Sequence, residues 1–286
     1  MATVHVMSAA ATTEKQQTLV IRPPSGFSGR GIGDLCRYRE LLLFLTWRDI
    51  KIRYKQTILG AAWALLQPFL TMIVFTVVIN HIGRIHTPIP YPLFALSTLA
   101  LWYYFSNGVN LTSASLVGSA PLITKVYFPR VSVVLSPILA GIVDFCLAFL
   151  LVAAAMVYYG FGPPLQALLV PLFVLLAGLM ALGLGLVLSA LNVRYRDIRY
   201  AVPFVLQLWL WATPVAYPGS VVPARFDLLY KLNPMTGVVE GYRWALLGSG
   251  HVQALHLGVS IGTAFVLLVG GALYFSRAER AFADVI

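Results

Sequence analysis

The sequence predicts an all-α integral membrane protein with six transmembrane helices and cytoplasmic N- and C-termini. It also predicts an N-terminal amphipathic interfacial helix and external re-entrant helices between spans five and six. The 286 residues are 59% hydrophobic and only 10% charged, whereas ordinary globular chains are about 25% charged. Several apolar runs approach the ~20 residues that cross ~30 Å of hydrocarbon. A β-barrel would show short alternating segments instead.

Six apolar runs give the six spans. They cover residues 58–80, 93–111, 131–159, 165–191, 200–217 and 255–275, and the third is long enough to tilt in the bilayer. Cytoplasmic loops of membrane proteins carry an excess of Lys and Arg. Most of the 20 such residues fall on one side of the spans, and the other side holds Arg84, Arg225, Lys231 and Arg243. Both termini are therefore expected in the cytoplasm.

The chain divides into three parts. Residues 1–35 are polar and lack the apolar core of a signal peptide, so they predict a flexible cytoplasmic tail. Residues 36–57 form the interfacial helix, and residues 58–286 form the transmembrane domain. The two cysteines, Cys36 and Cys146, are not expected to form a disulfide, and the sequence has no metal-ligand spacing.

The run WRDIKIRYK, residues 47–55, predicts a basic helix lying in the membrane interface. One face carries apolar and aromatic side chains: Leu43, Trp47, Ile50 and Tyr54. A neighbouring face carries cations: Arg48, Lys51 and Lys55. Asp49 stands four residues before Arg53, so we expect these two to pair, and Gly60 allows a bend into the first span. The alternative is that the charges only prevent the helix from sliding into the membrane.

Two cytoplasmic loops mix basic, aromatic and apolar residues, a composition favoured at protein interfaces. The first, SAPLITKVYFPR, covers residues 119–130. The second, NVRYRDIRY, covers residues 192–200 and includes Arg194, Tyr195, Arg196 and Asp197. From the residues alone, protein binding and simple charge bias with interfacial aromatics are equally good interpretations.

Some polar and aromatic residues lie inside the predicted spans. Asp144 is the one acid there, and an ionisable group at membrane depth is a functional hypothesis by default. Hydrogen bonding to a neighbouring helix or arginine is the favoured interpretation for it, with a transport role as the alternative. A set of aromatic residues would either line a passage and stack on sugars or pack in the core: Trp102, Tyr103, Tyr104, Trp211 and Tyr217.

The segment 218–251 is too apolar for a solvated loop and too rich in Pro and Gly for a span. We therefore expect short helices that dip into the outer leaflet and bury their apolar residues against neighbouring protein. The chain has no evident internal repeat, which disfavours an inverted-repeat secondary transporter. It has no GxxxxGK[ST] or HExxH signature of an enzyme, and its basic residues flank spans, which does not indicate nucleic-acid binding.

Four motifs resemble the permease subunit of polysaccharide ABC exporters, the type-2 ABC permeases that export O-antigen and teichoic acid. They are WRDIKIRYKQTILGAAWALLQP (47–68), ITKVYFPR (123–130), LNVRYRDIRYAVPFVLQ (191–207) and LNPMTGVVEGYRWALLG (232–248). The similarity covers nearly all of the chain after residue 35, with the motifs in the family's order and spacing.

The resemblance implies a homodimer in the bacterial inner membrane, associated with two separate ATPase subunits. The partner subunits would bind ATP and Mg, so this chain would be a transport subunit with no cofactor, metal or catalytic residue of its own. The implied cargo is a polysaccharide linked to a lipid, commonly undecaprenyl diphosphate. Membrane lipids are further partners, and nucleic acid is not one.

The resemblance also implies roles for particular residues. The loop 119–130 would couple to the ATPase through Leu122, Lys125, Tyr127, Phe128, Pro129 and Arg130. The cytoplasmic entrance would comprise Trp47, Arg48, Asp49, Lys51, Arg53, Tyr54 and Lys55. Because Arg and Lys bind phosphate oxygens strongly, we ourselves assign attraction of a lipid diphosphate to the cations of this helix. The external segment would form a gate that includes Asn233, Pro234, Glu240 and Arg243.

Two other functions remain to be weighed against export of a polysaccharide. A type-2 permease for drugs or other lipids would share the fold but not these four motifs. A membrane enzyme acting on polyprenyl-linked sugars would need clustered acids, and Asp144 alone does not supply them.

Overall fold

The computed structural model describes residues 37–55, 60, 62–126, 128–250 and 252–279. These residues form helices and connecting turns without any strand. The α-helices are α1 Arg39–Lys55, α2 Ala62–Phe75, α3 Tyr91–Gly118, α4 Ala120–Ile123, α5 Val131–Tyr158, α6 Val170–Arg194, α7 Ile198–Ala212, α8 Asp227–Leu232, α9 Pro234–Leu247 and α10 Ala254–Ala278. A π-helix, Thr76–Ile82, continues α2, and short 3₁₀-helices cover Leu165–Leu169, Gly219–Val221 and Ala224–Phe226.

Four helical stretches in the described part of the chain are long and apolar enough to cross a membrane: Ala62–Ile82, Val131–Tyr158, Leu165–Arg194 and Ala254–Ala278. They correspond to the first, third, fourth and sixth predicted spans. The second predicted span lies within α3, which is long enough but more polar. The fifth, predicted over residues 200–217, is helical only as far as Ala212, where α7 ends after 15 residues because Thr213 adopts an extended backbone.

Local sequence explains the boundaries of the buried helix α9. Asn233 precedes it, and its side chain accepts a hydrogen bond from the Met235 N–H at 3.1 Å, which satisfies a donor left free by the first turn. Pro234 occupies the first helical position, where its missing N–H is not needed. Gly248 ends the helix with a φ of 64°, a left-handed conformation that glycine adopts readily.

Helix α3 lies at the centre of the bundle and packs most extensively against α5 and α6, while α6 also packs along α10. Glycines permit the close approach of α6 and α10. A Cβ at Gly183 would lie 2.6 Å from the carbonyl carbon of Leu267, and one at Gly271 would lie 2.5 Å from the oxygen of Gly183. Small residues at such crossings are typical of helix packing in membranes.

The bundle has two ends, which we name the α1 end and the α9 end. At the α1 end, Leu45 of α1 packs in an apolar cluster with the last turns of α3, α6 and α10 and the start of α5. At the α9 end, α9 packs near the start of α3, where the Tyr91 hydroxyl donates to the Ala216 carbonyl at 2.7 Å. The described segments that are predicted to be cytoplasmic thus share the α1 end, while the predicted cytoplasmic tail, residues 1–35, lies outside the described residues.

Candidate functional site

Helix α1 is joined to α5 by polar contacts around Asp144. The Tyr54 hydroxyl donates a hydrogen bond to Asp144 Oδ1, and the Arg53 guanidinium forms an ion pair with Asp144 Oδ2. Burial lowers the pKa of Arg53, and nearby Tyr54 and Asp49 offset part of that effect. Asp144 therefore has the hydrogen-bonding partners, a neighbouring helix and an arginine, that were predicted for it.

The predicted pairing of Asp49 with Arg53 is wrong. Asp49 instead pairs with the adjacent Arg48 at 2.9 Å and accepts a hydrogen bond from the Ser136 hydroxyl of α5 at 2.7 Å. The reason is that α5 presents both Ser136 and Asp144 to α1, so the acid and the base of α1 each find a partner on α5. Two sets of contacts thus join α1 to α5: Asp49 with Ser136, and Arg53 and Tyr54 with Asp144. We call them the α1–α5 joint.

The predicted faces of α1 are also different in the structure. Leu43 and Trp47 are 66% and 63% exposed, whereas Leu45 is 1% exposed and packs inward. Tyr54, assigned to the same face as Trp47, turns towards Asp144 because that carboxylate accepts a hydrogen bond from its hydroxyl group. The outward face therefore combines apolar side chains with two exposed cations, Lys51 and Lys55, while charged residues of α1 also point inward.

A cavity of about 260 Å³ lies beside the α1–α5 joint, bounded by α1, α2, α3 and α5. Arg53, Tyr54 and Asp144 form one wall. The others carry aromatic and amide side chains: Trp63, Gln67, Tyr103, Tyr104, Asn107 and Phe145. Gly60, with a φ of 48°, also lines the cavity.

The loop before α5 is anchored from within and exposed on its outer surface. Phe128 is buried in the apolar cluster of the α1 end. Arg130 donates to the Glu279 carbonyl oxygen at 2.6 Å and lies 3.8 Å from its carboxylate. Burial raises the pKa of that carboxyl group, and Arg130 partly offsets the increase.

The remaining predicted coupling residues differ in their exposure. Leu122 and Pro129 are half-buried and Lys125 is exposed, while Tyr127 lies outside the described residues. Lys125 is thus exposed together with Pro121, Thr124 and Val126 of this loop, whereas Phe128 and Arg130 act as internal anchors. The sequence did not separate these two roles.

The second basic loop follows α6 at the same end. Arg194, Tyr195, Arg196 and Asp197 are all exposed. The Arg194 guanidinium lies 5.4 Å from the centre of the Tyr195 ring, within the range of a cation–π contact. This loop and Lys125 therefore both expose basic side chains at the α1 end.

The predicted aromatic path residues occupy two environments. Trp102 and Tyr104 are buried, with Trp102 packed against the rings of Phe105 and Trp209. Trp211 is 52% exposed and accepts, through its carbonyl, a hydrogen bond from the Tyr217 hydroxyl at 2.9 Å. Tyr103 and Tyr104 reach the cavity beside the joint, so one part of this aromatic set faces open space and another packs in the core.

Arg243 of α9 was counted as a charge of an external loop, but the structure places it in the interior. Only 6% of its surface is exposed. Its guanidinium donates to the Pro214 carbonyl at 2.5 Å and lies 3.7 Å above the centre of the Phe94 ring. Burial lowers its pKa to about 10, so the side chain stays charged at neutral pH.

A second buried group ties α9 to α8 and α10. Glu240 accepts a hydrogen bond from the Tyr230 hydroxyl at 2.5 Å and lies 2.8 Å from His256 Nδ1. Burial and this hydrogen bond raise the pKa of Tyr230. Asn233 adds a further link, because its side chain accepts from the Trp209 indole at 2.9 Å. The predicted short helices of this segment are present, and their apolar residues are buried in α9.

Sequence reasoning missed several residues that complete these groups. Ser136 lies two helical turns before Asp144, on the same face of an otherwise apolar helix. That shared face was the sequence signal that could have identified Ser136. His256 and Glu279 gave no comparable signal, because each meets its partner only through tertiary packing. Among the described residues, no group of three or more His, Cys, Asp or Glu side chains is placed to hold a metal ion.

Comparisons with known proteins agree with the four motifs. A family model described as ABC-2 type transporter matches residues 40–247. The chain is 30% identical over 259 residues to the O-antigen export system permease protein RfbA of Myxococcus xanthus, a match covering 90% of this chain and 99% of that protein. An RfbA of Klebsiella pneumoniae is 25% identical, with 86% and 95% covered. The polysialic acid transport protein KpsM of Escherichia coli is 24% identical, with 83% and 92% covered.

Proposed function

The chain belongs to the ABC-2 type transporter family, and we propose that it is the permease subunit of an ABC exporter that moves a polysaccharide across the bacterial inner membrane. The observation that carries this function is the 30% identity to an O-antigen export permease over 99% of that relative's length. Relatives named for O-antigen and for polysialic acid transport both cover most of the chain. The common cargo class is a polysaccharide.

We place the α1 end in the cytoplasm and propose six spans, with α3 and α7 completing the set. Charge supports this orientation, because the basic loops around Lys125 and Arg194–Asp197 lie at the α1 end. The α9 end then faces outward. Exposed leucines at 228 and 229, each 68% exposed, support short helices that dip into the outer leaflet, where apolar surface is favoured.

The exporter is proposed to contain two copies of this chain and two ATPase subunits that bind ATP and Mg. A polymer path through a single copy is disfavoured because α3 fills the centre of the bundle and is buried along most of its length. The ATPase would dock on the exposed surface formed by Lys125 and Arg194–Asp197. Force on the loop before α5 would reach α5 directly and α1 through the joint, moving the helices as rigid bodies.

The cargo is proposed to arrive on a lipid diphosphate carrier at the α1 end. The structure changes which cations suit this role. Arg53 is paired with Asp144 and Arg48 with Asp49, whereas Lys51 and Lys55 are exposed on the outward face of α1. Attraction of the diphosphate therefore falls to the two lysines rather than to the whole basic cluster.

The proposal is tested by purifying the chain with a candidate ABC ATPase subunit from the same cells and measuring complex formation and ATP hydrolysis. We expect a stable complex whose hydrolysis rate changes when both subunits are present. Lys125→Glu should weaken docking at least tenfold by reversing an exposed charge. Arg225→Glu, an equally exposed basic site near α8, should leave docking unchanged. Absence of a complex with the native chain would contradict the proposed function.

A further inference from the structure

We propose that the cavity between α1, α2, α3 and α5 is a binding site for a single uncharged sugar ring. This inference rests on the proposed function, since it takes the polysaccharide cargo as the source of the sugar. The site lies inside one copy of the chain, beside the α1–α5 joint, and is separate from the cationic outer face of α1.

The charges that line the cavity neutralise each other, which favours an uncharged ligand. Two charged side chains line the cavity, Arg53 and Asp144, and they form an ion pair with each other. Asp144 also accepts the Tyr54 hydroxyl. The wall therefore carries no net charge among its described residues, and a phosphate or diphosphate entering it would meet a carboxylate together with a guanidinium that is already paired. Such an anion would lose its hydration without gaining a free cation as a partner. A neutral ligand avoids this cost of desolvation.

The cavity contains side-chain amide groups that are available for hydrogen bonding to a ligand. The side-chain amides of Gln67 and Asn107 line it, and neither has a hydrogen-bond partner among the described residues. A side-chain amide offers two donors and an acceptor, and a polar group at membrane depth requires a partner. Sugar hydroxyls both donate and accept, so they match amides better than a purely anionic ligand does.

Aromatic rings supply the second feature of a sugar site. Trp63 is 51% exposed and lies at the wall with Tyr103 and Phe145. The Tyr103 hydroxyl is held at 2.7 Å from the Thr71 hydroxyl, which fixes its ring. The C–H faces of a sugar ring pack against aromatic faces while its hydroxyls reach the amides, and this cavity offers both kinds of surface side by side.

Size limits the ligand to one ring. A volume of about 260 Å³ corresponds to roughly nine water molecules at ~30 Å³ each. It is slightly below the ~300 Å³ at which pockets for drug-sized ligands begin. One hexose ring fits such a space, whereas a folded oligosaccharide does not.

The test uses the purified chain in phospholipid nanodiscs and a panel of methyl hexosides, read by saturation-transfer NMR and by tryptophan fluorescence. We expect at least one methyl hexoside to bind saturably. Trp63→Phe should remove its fluorescence change. Gln67→Leu and Asn107→Leu should each weaken binding at least fivefold. Asn110→Leu, an amide one turn further along α3 that does not line the cavity, is the matched control and should bind normally.

Three results would overturn the proposal: no hexoside binds, inorganic diphosphate binds in competition with the hexoside, or Asn110→Leu weakens binding as much as Asn107→Leu. Export of polysaccharide by the native chain is measured separately in cells. Export without hexoside binding would reject the sugar site and leave the proposed function standing. Loss of both the complex with the ATPase and export would reject the function itself.

Discussion

Charged side chains are built into both ends of the bundle, but in different ways. At the α9 end, Arg243 is 6% exposed and is held by a neutral carbonyl and an aromatic face. In the α1–α5 joint, the side chains of Arg53 and Asp144 keep 26% and 18% of their surface exposed, and they face each other directly. The first arrangement fixes a cation in the interior, and the second links two helices at the surface of the bundle.

This difference in burial determines how firmly α9 and α1 are held against their neighbours. Breaking the contacts of Arg243 would leave a charge in a dry interior, so α9 is held in one position. Breaking the joint would expose a pair that water already reaches, and the loss is smaller. We therefore expect α1 to separate from α5 at a lower cost in free energy than α9 from its neighbours.

Arg243→Met should have the largest effect on stability. The substitution keeps a long apolar stem but leaves the Pro214 carbonyl without its donor and Glu240 without a nearby cation, so we expect a loss of about 3–5 kcal/mol. Unfolding in mixed micelles with increasing SDS measures it. Arg225→Met, at an exposed site of the same segment, should change stability by less than about 0.5 kcal/mol. Equal effects of the two substitutions would contradict the assigned difference in burial.

The joint should contribute less. A double-mutant cycle of Arg53→Met and Asp144→Asn should give a coupling energy of about 1–2 kcal/mol, because both side chains are partly solvated. The same unfolding assay applies. A coupling energy near zero would mean that the ion pair does not link α1 to α5 in the membrane protein.

Ser136→Ala should have the smallest effect, about 0.5–1.5 kcal/mol, since it removes one hydrogen bond while Asp49 keeps Arg48 as its partner. Its control is Ser276→Ala, because the Ser276 hydroxyl is exposed and bonds only to its own helix. Faster proteolysis of α1 in Ser136→Ala, with Ser276→Ala unchanged, is the second readout. Identical behaviour of the two variants would show that Ser136 does not help to hold α1 against α5.

The two ends also differ in how far the sequence predicts them. Composition and apolar run length identify the helices, and the basic cluster identifies α1. The partners of its charges do not follow from helical periodicity, because Asp49 and Arg53 each contact a residue of α5 about ninety positions away. The spacing within α1 favoured a pair between Asp49 and Arg53, but in the structure both residues form tertiary contacts with α5 instead.

At the α9 end, the Pro and Gly content of residues 218–251 correctly predicts short helices, and the sequence NP followed by a late Gly marks the bounds of α9. The same reasoning placed Arg243 in a loop, because charge counting takes every arginine between spans as solvent-facing. Only the packing of α9 against α3 shows that this arginine is interior. Coupling residues show the same limit, since Phe128 and Lys125 are three positions apart and face opposite ways.

Export itself is tested most directly by deleting the gene for this chain in its own cells and locating the polysaccharide. We expect the polysaccharide to disappear from the cell surface and to accumulate inside the cell. The native gene should restore export, and the Lys125→Glu variant should not. Unchanged surface polysaccharide would show that this chain is not the exporter's permease. So would its disappearance without intracellular accumulation, which would indicate a role in synthesis instead of transport.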